Sequence, residues 1–187
     1  MPFLPRHRLR LAAHVMRYGG VVAYPTEAVY GLGCDPWNRA AVERLLTIKQ
    51  RDVSKGLILI AADPAQLTPF VEDLSAERMA DIHASWPGPH TWLLPARPST
   101  PRWLTGRFET LAVRVTAHPL SAGLCMTYGG AIVSTSANRA GRPPARTSLR
   151  VRLALYEQPD ALLVGACSGS GRPSSIRDGR TGRVLRG

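Results

Sequence analysis

The chain has 187 residues, of which 44% are hydrophobic and 20% are charged. This length and composition allow one or at most two domains with a buried core and exclude disorder of the whole chain. The basic residues number 24 and the acidic residues 13, which gives a formal net charge of +11. Only two of the basic residues are lysines, and the arginine-rich surface favours anionic partners such as phosphates, nucleotides or nucleic acid.

The cysteine pattern and the hydropathy point to a soluble cytoplasmic protein. Cys34, Cys125 and Cys167 lie far apart and form no C-x-x-C pair, which fits a reducing compartment. The amino-terminal segment carries arginines but no apolar core of a secretory signal. No run approaches the roughly 20 apolar residues of a membrane span, so we expect no membrane association.

Apolar periodicity, together with glycine and proline stops, predicts alternating helices and strands. In chain order these are a helix over residues 9–16, a strand over 21–24, a helix over 38–48, a strand over 57–61, a helix over 75–86, strands over 91–94 and 111–115 separated by a loop over 95–106, a helix over 119–128, a strand over 131–135, a helix over 148–156 and a strand over 161–164. This order is typical of an α/β fold with a mixed sheet. The absence of a linker predicts a single domain over residues 1–187.

Residues 49–55 contain both lysines of the chain, with an arginine between them. In extended backbone the side chains of Lys49, Arg51 and Lys55 lie on one side, so the three cations can converge if the helix ends before Lys49. An arginine fork combined with lysine point charges suits an anion with several oxygens, such as a triphosphate. The alternative is a solvated basic run at a helix end, where cations favour the helix dipole.

The segment 132–138 changes from apolar to small polar residues as it leaves a predicted strand. Alternation puts Ser134, Ser136 and Asn138 on one face, where hydroxyls and an amide can contact a ligand at the carboxyl end of the strand. The alternative is a Ser/Thr-rich turn or the cap of a following helix.

Three further segments carry polar groups suited to ligand binding. Thr26 in residues 24–33 is a candidate ligand contact, whereas Glu27 is either a general base or a cap of the turn. Arg114 interrupts an apolar strand and requires an anionic partner, which is a substrate carboxylate or an internal acidic residue. Residues 165–176 are rich in glycine and serine, and they form either an anion cradle or only a flexible turn.

The familiar enzyme signatures are absent from the sequence. It contains no G-x-x-x-x-G-K-[ST] loop, no G-x-G-x-x-G after a strand, no H-E-x-x-H and no G-x-S-x-G. The five histidines show no metal-ligand spacing, so we predict no metal held by protein ligands. From residue 139 onward ten arginines face three acidic residues, which makes the carboxyl-terminal quarter the expected place for nucleic acid or another anion.

With these segments in this order, the chain resembles the YrdC/Sua5 family, in particular its short bacterial threonylcarbamoyl-AMP synthases. The resemblance rests on YPTEAVYGLGCDP at 24–36, KQRDVSKGLILIA at 49–61, WPGPHTWLLPA at 86–96, PRWLTGRFETLAVRVTAHP at 101–119, VSTSANRAGRPP at 133–144 and PSSIRD at 173–178. The K-x-R run with its following lysine and the S-x-S-A-N run are specific in combination. One departure is Asp52, at a position where relatives often carry proline.

The resemblance implies a twisted, mixed sheet flanked by helices around a basic concave cavity, in a single α/β domain of the YrdC-like kind. It also implies a nucleotidyltransferase that converts L-threonine, bicarbonate or CO2, and ATP into threonylcarbamoyl-AMP and diphosphate, with Mg²⁺ assisting. That product serves the threonylcarbamoyl modification of adenosine 37 in certain tRNAs, so the resemblance implies transfer of the product to the tRNA-modifying machinery.

The resemblance assigns site residues as well. The nucleotide-binding positions are matched by Lys49, Arg51, Lys55, Ser136 and Asn138, with Lys49 and Arg51 as the catalytic residues. The positions at or near threonine are matched by Thr26, Arg114, Ser134 and Ser174. All of these lie in the segments that the side-chain chemistry singled out.

Two other functions stay open at this point. The arginine-rich carboxyl-terminal quarter suits the backbone of double-stranded RNA or tRNA, although no RNA-recognition motif is present. A related domain in hydrogenase maturation makes carbamoyl-AMP from carbamoyl phosphate, but that domain normally lies inside a much larger protein.

Overall fold

A computed structural model describes residues 6–169 and 174–186 of the chain. Its helices are α1 (Arg6–Arg17), α2 (Arg39–Lys49), α3 (Ala76–Ala84), α4 (Arg102–Thr105), α5 (Pro119–Tyr128) and α6 (Ser148–Ala154). Its strands are β1 (Val22–Pro25), β2 (Tyr30–Gly33), β3 (Ile58–Ala61), β4 (His90–Pro95), β5 (Thr110–Val115), β6 (Ile132–Ser136), β7 (Ala161–Leu162), β8 (Ser175–Asp178) and β9 (Val184–Arg186). The predicted α/β class with a mixed sheet is confirmed.

The strands form one sheet in the order β7-β1-β2-β6-β3-β5-β4-β8-β9 within the described residues. The pairs β1–β7, β3–β5 and β4–β8 are parallel and the other pairs are antiparallel. The centre of the sheet, β6-β3-β5, therefore joins strands that are far apart in sequence. β3 lies between the polar end of β6 and β5, the strand that carries Arg114.

The two faces of the central strands are covered differently. Leu59, Val113 and Val133 point to one face, where they are fully buried in a large apolar core that also contains the inward side of α2. Ile60 and Ile132 point to the opposite face, where α1 and α5 cover them. Because side chains alternate along a strand, the next residues on that second face are Ile58 and Ser134, which pair with each other. At that level the apolar cover ends and an open cavity begins.

Several short elements differ from the sequence predictions. β2 was not predicted, because its four residues include two glycines and lack the β-branched run that marks a strand. α4 lies inside the predicted loop 95–106, and β8 and β9 lie in or after the segment predicted as a glycine-rich loop. α3 and α6 each end two residues earlier than predicted. Residues 170–173 of that glycine-rich segment lie outside the described residues.

Candidate active site

The cavity has a volume of about 540 Å³ and is built on the uncovered part of the sheet. Its floor uses alternate residues of the central strands, namely Ala112 and Arg114 of β5 and Ser134 and Ser136 of β6. The cationic side chains that line it are Arg51, Lys55, Arg114 and Arg186. Among the described residues no aspartate or glutamate lines the cavity, so it presents a strongly positive surface to a ligand.

The segment after α2 brings two of these cations to the cavity. α2 includes Lys49 and thus continues one residue beyond the predicted end near residue 48. Gln50 then adopts a left-handed conformation, with φ of 52°, and its N–H caps the helix on the carbonyl oxygens of residues 46 and 47. This sharp change of direction places Arg51 and Lys55 on the cavity wall, whereas Lys49 does not line it. The predicted convergence of three cations is thus seen for two of them, because the helix does not end before Lys49.

The turn over residues 53–55 is fixed on both sides. The carboxylate of Asp52 accepts the N–H of Ser54 at 2.8 Å. Asp52 has φ of −65°, the value that proline imposes, so its side chain departs from the family pattern while its backbone φ matches it. On the other side Gly106, with φ of +62°, lies so close that an added Cβ would be 2.4 Å from the carbonyl oxygen of Ser54. Only glycine fits this contact between α4 and the turn.

Arg51 is positioned with unused hydrogen-bonding capacity. Its Nη2 donates to the carbonyl oxygen of Gly56 at 3.0 Å, which orients the guanidinium toward the start of β3. Its Nε is buried and has no partner among the described residues. Burial lowers the pKa of Arg51, although arginine stays charged at neutral pH. A buried donor without an acceptor is costly, and an incoming anion would satisfy it.

Lys49 lies outside the cavity lining and is almost completely buried. Its Nζ donates to the carbonyl oxygens of Ser136 and Asn138, the latter at 2.9 Å. Its own carbonyl oxygen accepts the N–H of Ala140 at 2.8 Å. Burial, and secondarily the charge of Arg51, lowers the pKa of Lys49 to about 8. In this conformation Lys49 supports the backbone after β6, and its predicted contact with phosphate remains a prediction.

Asn138 also acts within the protein in this structure. Its amide nitrogen donates to the carbonyl oxygens of Arg139 at 2.9 Å and Arg142 at 2.6 Å, so it holds the loop after β6 in a tight turn. It does not line the cavity, whereas Ser136 does. Of the S-x-N pair, therefore, the serine is placed for direct ligand contact and the asparagine shapes the loop.

Arg114 meets Glu27 at the far end of the cavity from Lys55. Arg114 of β5 pairs with Ile60 of β3. Ile60 is four residues beyond Gly56, so Arg114 lies about 13 Å from the level of Gly56 along the strand direction. Its Nη2 lies 3.4 Å from Oε2 of Glu27, and both side chains are at least 87% buried, with exposures of 9% and 13%. Burial raises the pKa of Glu27, but the charge of Arg114 and the hydrogen bonds from the backbone and Thr116 outweigh it, so the net pKa is lowered.

The remaining predicted threonine contacts also reach this cavity. Thr26, Ser134 and Ser174 all line it, and the hydroxyl of Thr26 donates to the carbonyl oxygen of Val29 at 2.7 Å. The hydroxyl of Ser174 lies 3.0 Å from that of Thr91, which attaches the start of β8 to β4. The structure thus brings Thr26, Arg114, Ser134 and Ser174 to one cavity, although these four residues are far apart in the sequence.

Arg186 is the lining cation that the sequence analysis did not single out. It lies on β9, which pairs with β8 at the edge of the sheet, and its Nη2 donates to the carbonyl oxygen of Ser174 at 3.2 Å. The sequence signal for it is weak, because its strand has three residues and all three are exposed. Only the sheet pairing of β8 and β9 reveals that it faces the cavity.

The described residues contain neither a candidate metal cluster nor a membrane-crossing helix. No group of three or more histidine, cysteine, aspartate or glutamate side chains in residues 6–169 and 174–186 could hold a metal ion. None of the helices in these ranges is both long enough and apolar enough to cross a membrane. Cys34, Cys125 and Cys167 are all free thiols.

Comparison with known proteins identifies the family. A family model that combines Sua5, YciO and YrdC, and is described as "Telomere recombination", matches residues 14–187. The chain belongs to the Sua5/YciO/YrdC family. Within it, the threonylcarbamoyl-AMP synthase of Nitrosococcus oceani is 58% identical over 182 residues, which cover 97% of this chain and 98% of the relative. The threonylcarbamoyl-AMP synthase of Methylococcus capsulatus is 51% identical over the full length of both chains.

A solved structure from the Sua5/YciO/YrdC family has the same fold. The structure of P. abyssi Sua5 complexed with L-threonine superposes with a TM-score of 0.88 at 32% identity. The match covers 94% of this chain but 52% of the Sua5 chain, so the chain described here spans about half the length of that relative. The chain described here has the basic cavity on an α/β sheet that the resemblance implied.

Proposed function

We propose that this chain is a threonylcarbamoyl-AMP synthase, which converts L-threonine, bicarbonate or CO2, and ATP into threonylcarbamoyl-AMP and diphosphate. Full-length relatives at 51% and 58% identity carry that name. The observation that carries the proposal is a single cavity whose two ends differ in charge. Arg51 and Lys55 at one end have no carboxylate partner among the described residues, whereas Arg114 at the other end is paired with Glu27.

The end with Arg114 suits threonine. Its guanidinium can receive the amino-acid carboxylate through charge-assisted hydrogen bonds, and its Nε has no partner among the described residues. The hydroxyls of Thr26, Ser134 and Ser174 lie on the same cavity and can contact the amino and hydroxyl groups of the substrate. These four residues are our proposed threonine site.

The end with Arg51 and Lys55 suits the phosphates of ATP. The fork of Arg51 and the point charge of Lys55 can bind phosphoryl oxygens, with Ser136 beside them on β6. Lys49 and Asn138 complete the proposed nucleotide site by holding the backbone of residues 136–142. Since no carboxylate of the described residues lines the cavity, these residues do not suit a metal that protein ligands would hold, and Mg²⁺ would enter as MgATP on the phosphate oxygens.

The proposed reaction needs positioning and charge stabilisation rather than a covalent nucleophile. The neutral amine of threonine attacks CO2 and loses a proton to give a carbamate, and a carbamate oxygen then attacks the α-phosphorus of ATP. The bond from that phosphorus to the bridging oxygen breaks, and diphosphate leaves with the electron pair. Arg51 and Lys55 would stabilise the charge that develops on the phosphoryl oxygens and on the leaving group.

Diphosphate release from ATP tests the proposed function. We expect release that requires both L-threonine and bicarbonate and that falls strongly in Arg51→Gln, with Arg39→Gln as a matched control on the exposed side of α2. Release supported by carbamoyl phosphate alone would favour the carbamoyl-AMP chemistry. A folded wild-type protein that shows no threonine-dependent release would refute the proposal.

Direct contact with tRNA is a second proposed function, supported by a separate groove of about 610 Å³. Its lining includes Arg139, Arg142, Arg146 and Arg150 and no acidic residue among those described. The guanidinium of Arg139 stacks 3.7 Å from the ring centre of the exposed Tyr156, which adds an aromatic surface for a base. Such a surface suits a nucleic-acid backbone. A role in tRNA modification would place the protein in the cytoplasm, where its product could pass to the tRNA-modifying machinery.

The salt dependence of tRNA binding tests this groove. Each lost phosphate contact reduces the slope of log affinity against log salt by about 0.7–0.9. The variant Arg142→Gln with Arg146→Gln should therefore reduce the slope by about 1.5, whereas Arg8→Gln with Arg10→Gln on α1 should leave it unchanged. An equal effect of both double variants would mean diffuse attraction without a groove, and no binding by the wild type would refute direct contact.

A further inference from the structure

The cations that line the cavity differ in whether a carboxylate neutralises them. Within the described residues Arg114 has an acidic partner, and Arg51, Lys55 and Arg186 have none. That partner, Glu27, lies on the segment between β1 and β2 and is not itself part of the cavity lining. The cavity is therefore strongly cationic except at Arg114, where the local charge of the pair is neutral.

The carboxylate of Glu27 is held firmly on one side only. Its Oε1 accepts the hydroxyl of Thr116 at 2.8 Å and the N–H of Ala117 at 2.9 Å. Its Oε2 is buried, has no hydrogen bond among the described residues, and lies 3.4 Å from Nη2 of Arg114. The segment after β5 thus fixes the carboxylate so that its second oxygen faces Arg114. The lowered pKa of Glu27 keeps this oxygen charged at neutral pH.

This arrangement affects which ligands Arg114 can receive. An isolated buried guanidinium attracts any anion, and a diphosphate or triphosphate with several charges would compete with an amino-acid carboxylate. With a fixed carboxylate beside it, the site as a whole is neutral. A neutral site attracts a polyanion much less strongly than an unpaired cation does. A zwitterion has no net charge, so its binding is weakened little by the added carboxylate.

We propose that Glu27 is a specificity-determining and positioning residue, which orients Arg114 for the carboxylate of a zwitterionic amino acid and excludes polyphosphate from that end of the cavity. This inference rests on the proposed function, because it assigns threonine and ATP to the two ends. The negative charge of Glu27 opposes the binding of polyphosphate at Arg114, in a cavity whose other lining cations attract anions.

The test uses Glu27→Gln, which keeps an oxygen to accept from Thr116 and Ala117 and removes the charge. Synthesis is followed by incorporation of labelled bicarbonate at saturating ATP, with diphosphate as the probe of the excluded ligand. In wild-type protein diphosphate should compete with ATP and leave the threonine KM unchanged. In Glu27→Gln the threonine KM should rise roughly tenfold, the effect of one disturbed charge-assisted contact, and diphosphate should now compete with threonine.

Further variants separate charge from folding. Glu43→Gln, which removes a carboxylate paired with Arg39 at 2.7 Å on the exposed face of α2, should leave both patterns unchanged. Adding Arg114→Gln to Glu27→Gln should abolish the competition between diphosphate and threonine while threonine binding stays weak. Calorimetric titration of diphosphate without ATP provides the same comparison without turnover. Glu27→Asp retains the charge, so it should retain exclusion of diphosphate even where its threonine KM rises.

The inference is overturned if Glu27→Gln folds and diphosphate still competes with ATP alone, or if Glu27→Asp admits diphosphate as Glu27→Gln does. A wild-type protein that forms no threonine-dependent product would instead overturn the proposed function, whatever the variants of Glu27 do. The two failures are therefore distinguishable in one set of experiments.

Discussion

Replacement of Arg114 by glutamine removes the charge that we assign to the threonine carboxylate. A hydrogen bond to a charged group contributes about 1.5–3 kcal/mol, so loss of this contact should raise the threonine KM by roughly 10- to 150-fold. The ATP KM should change little, because Arg114 lies about 13 Å along the sheet from the level of Gly56, where Arg51 is anchored. Initial rates at varied threonine and ATP measure both constants, and an equal rise in both would refute the assignment.

The same variant should alter stability in a pH-dependent way. Without Arg114 the buried Glu27 loses its countercharge, which should lower the free energy of unfolding at pH 7 by about 2–3 kcal/mol. In the wild type the lowered pKa of Glu27 stabilises the fold above the unfolded pKa of 4.5, and this contribution is lost as pH falls through the folded pKa. The stability gained between pH 4 and pH 7 should therefore be smaller in the variant. Urea unfolding that shows equal gains in both proteins would contradict the ion pair.

Three further outcomes follow from the structure. Arg51→Gln should raise the ATP KM far more than the threonine KM, measured in the same rate experiments, and the reverse order would exchange the two ends of the cavity. Lys49 has a folded pKa of about 8 against 10.5 when unfolded, so the wild type should gain stability as pH rises between these values, and Lys49→Met should lack that gain in urea unfolding. Burial raises the pKa of Cys34 and of Cys125, the latter to about 12. A thiol reagent should therefore modify Cys167 alone in the native state and all three cysteines in urea. Rapid modification of all three cysteines in the native protein would contradict the packing.

The sequence predicted the elements that bury continuous apolar side chains. The strand over 57–61 and the helix over 119–128 were placed within one residue of β3 and α5, because an apolar run or a glycine stop marks their limits. The basic segment 49–55, the polar end of β6 and Arg114 were also recognisable, since each places an unusual charge or hydroxyl beside an apolar strand. These features depend on local pattern alone, and the structure brings them to one cavity.

The parts that could not be predicted depend on pairing between distant segments. β2 has only four residues and no apolar run, and it is paired with β1 on one side and with β6 on the other. Arg186 reaches the cavity through the pairing of β9 with β8, and no local pattern indicates this. The placement of Arg51 and Lys55 on the cavity wall depends on the left-handed residue at position 50, where no glycine signals it. The contacts of Lys49 with the carbonyl oxygens of Ser136 and Asn138 join residues that are 87 and 89 positions apart in sequence. Glu27 was recognised as either a base or a cap, and its pairing with Arg114 appeared only in the fold.

In the proposed reaction, one cavity joins threonine, the carbon of bicarbonate and the adenylyl group of ATP. The most direct test of this reaction is mass spectrometry of a rapidly quenched mixture of the wild-type protein, L-threonine, ATP and ¹³C-labelled bicarbonate. We expect threonylcarbamoyl-AMP that carries the label in its carbamoyl carbon and that disappears when threonine is omitted or when Arg51 and Arg114 are both replaced by glutamine. Labelled product that forms without threonine, or a folded protein that yields no labelled nucleotide, would contradict the account.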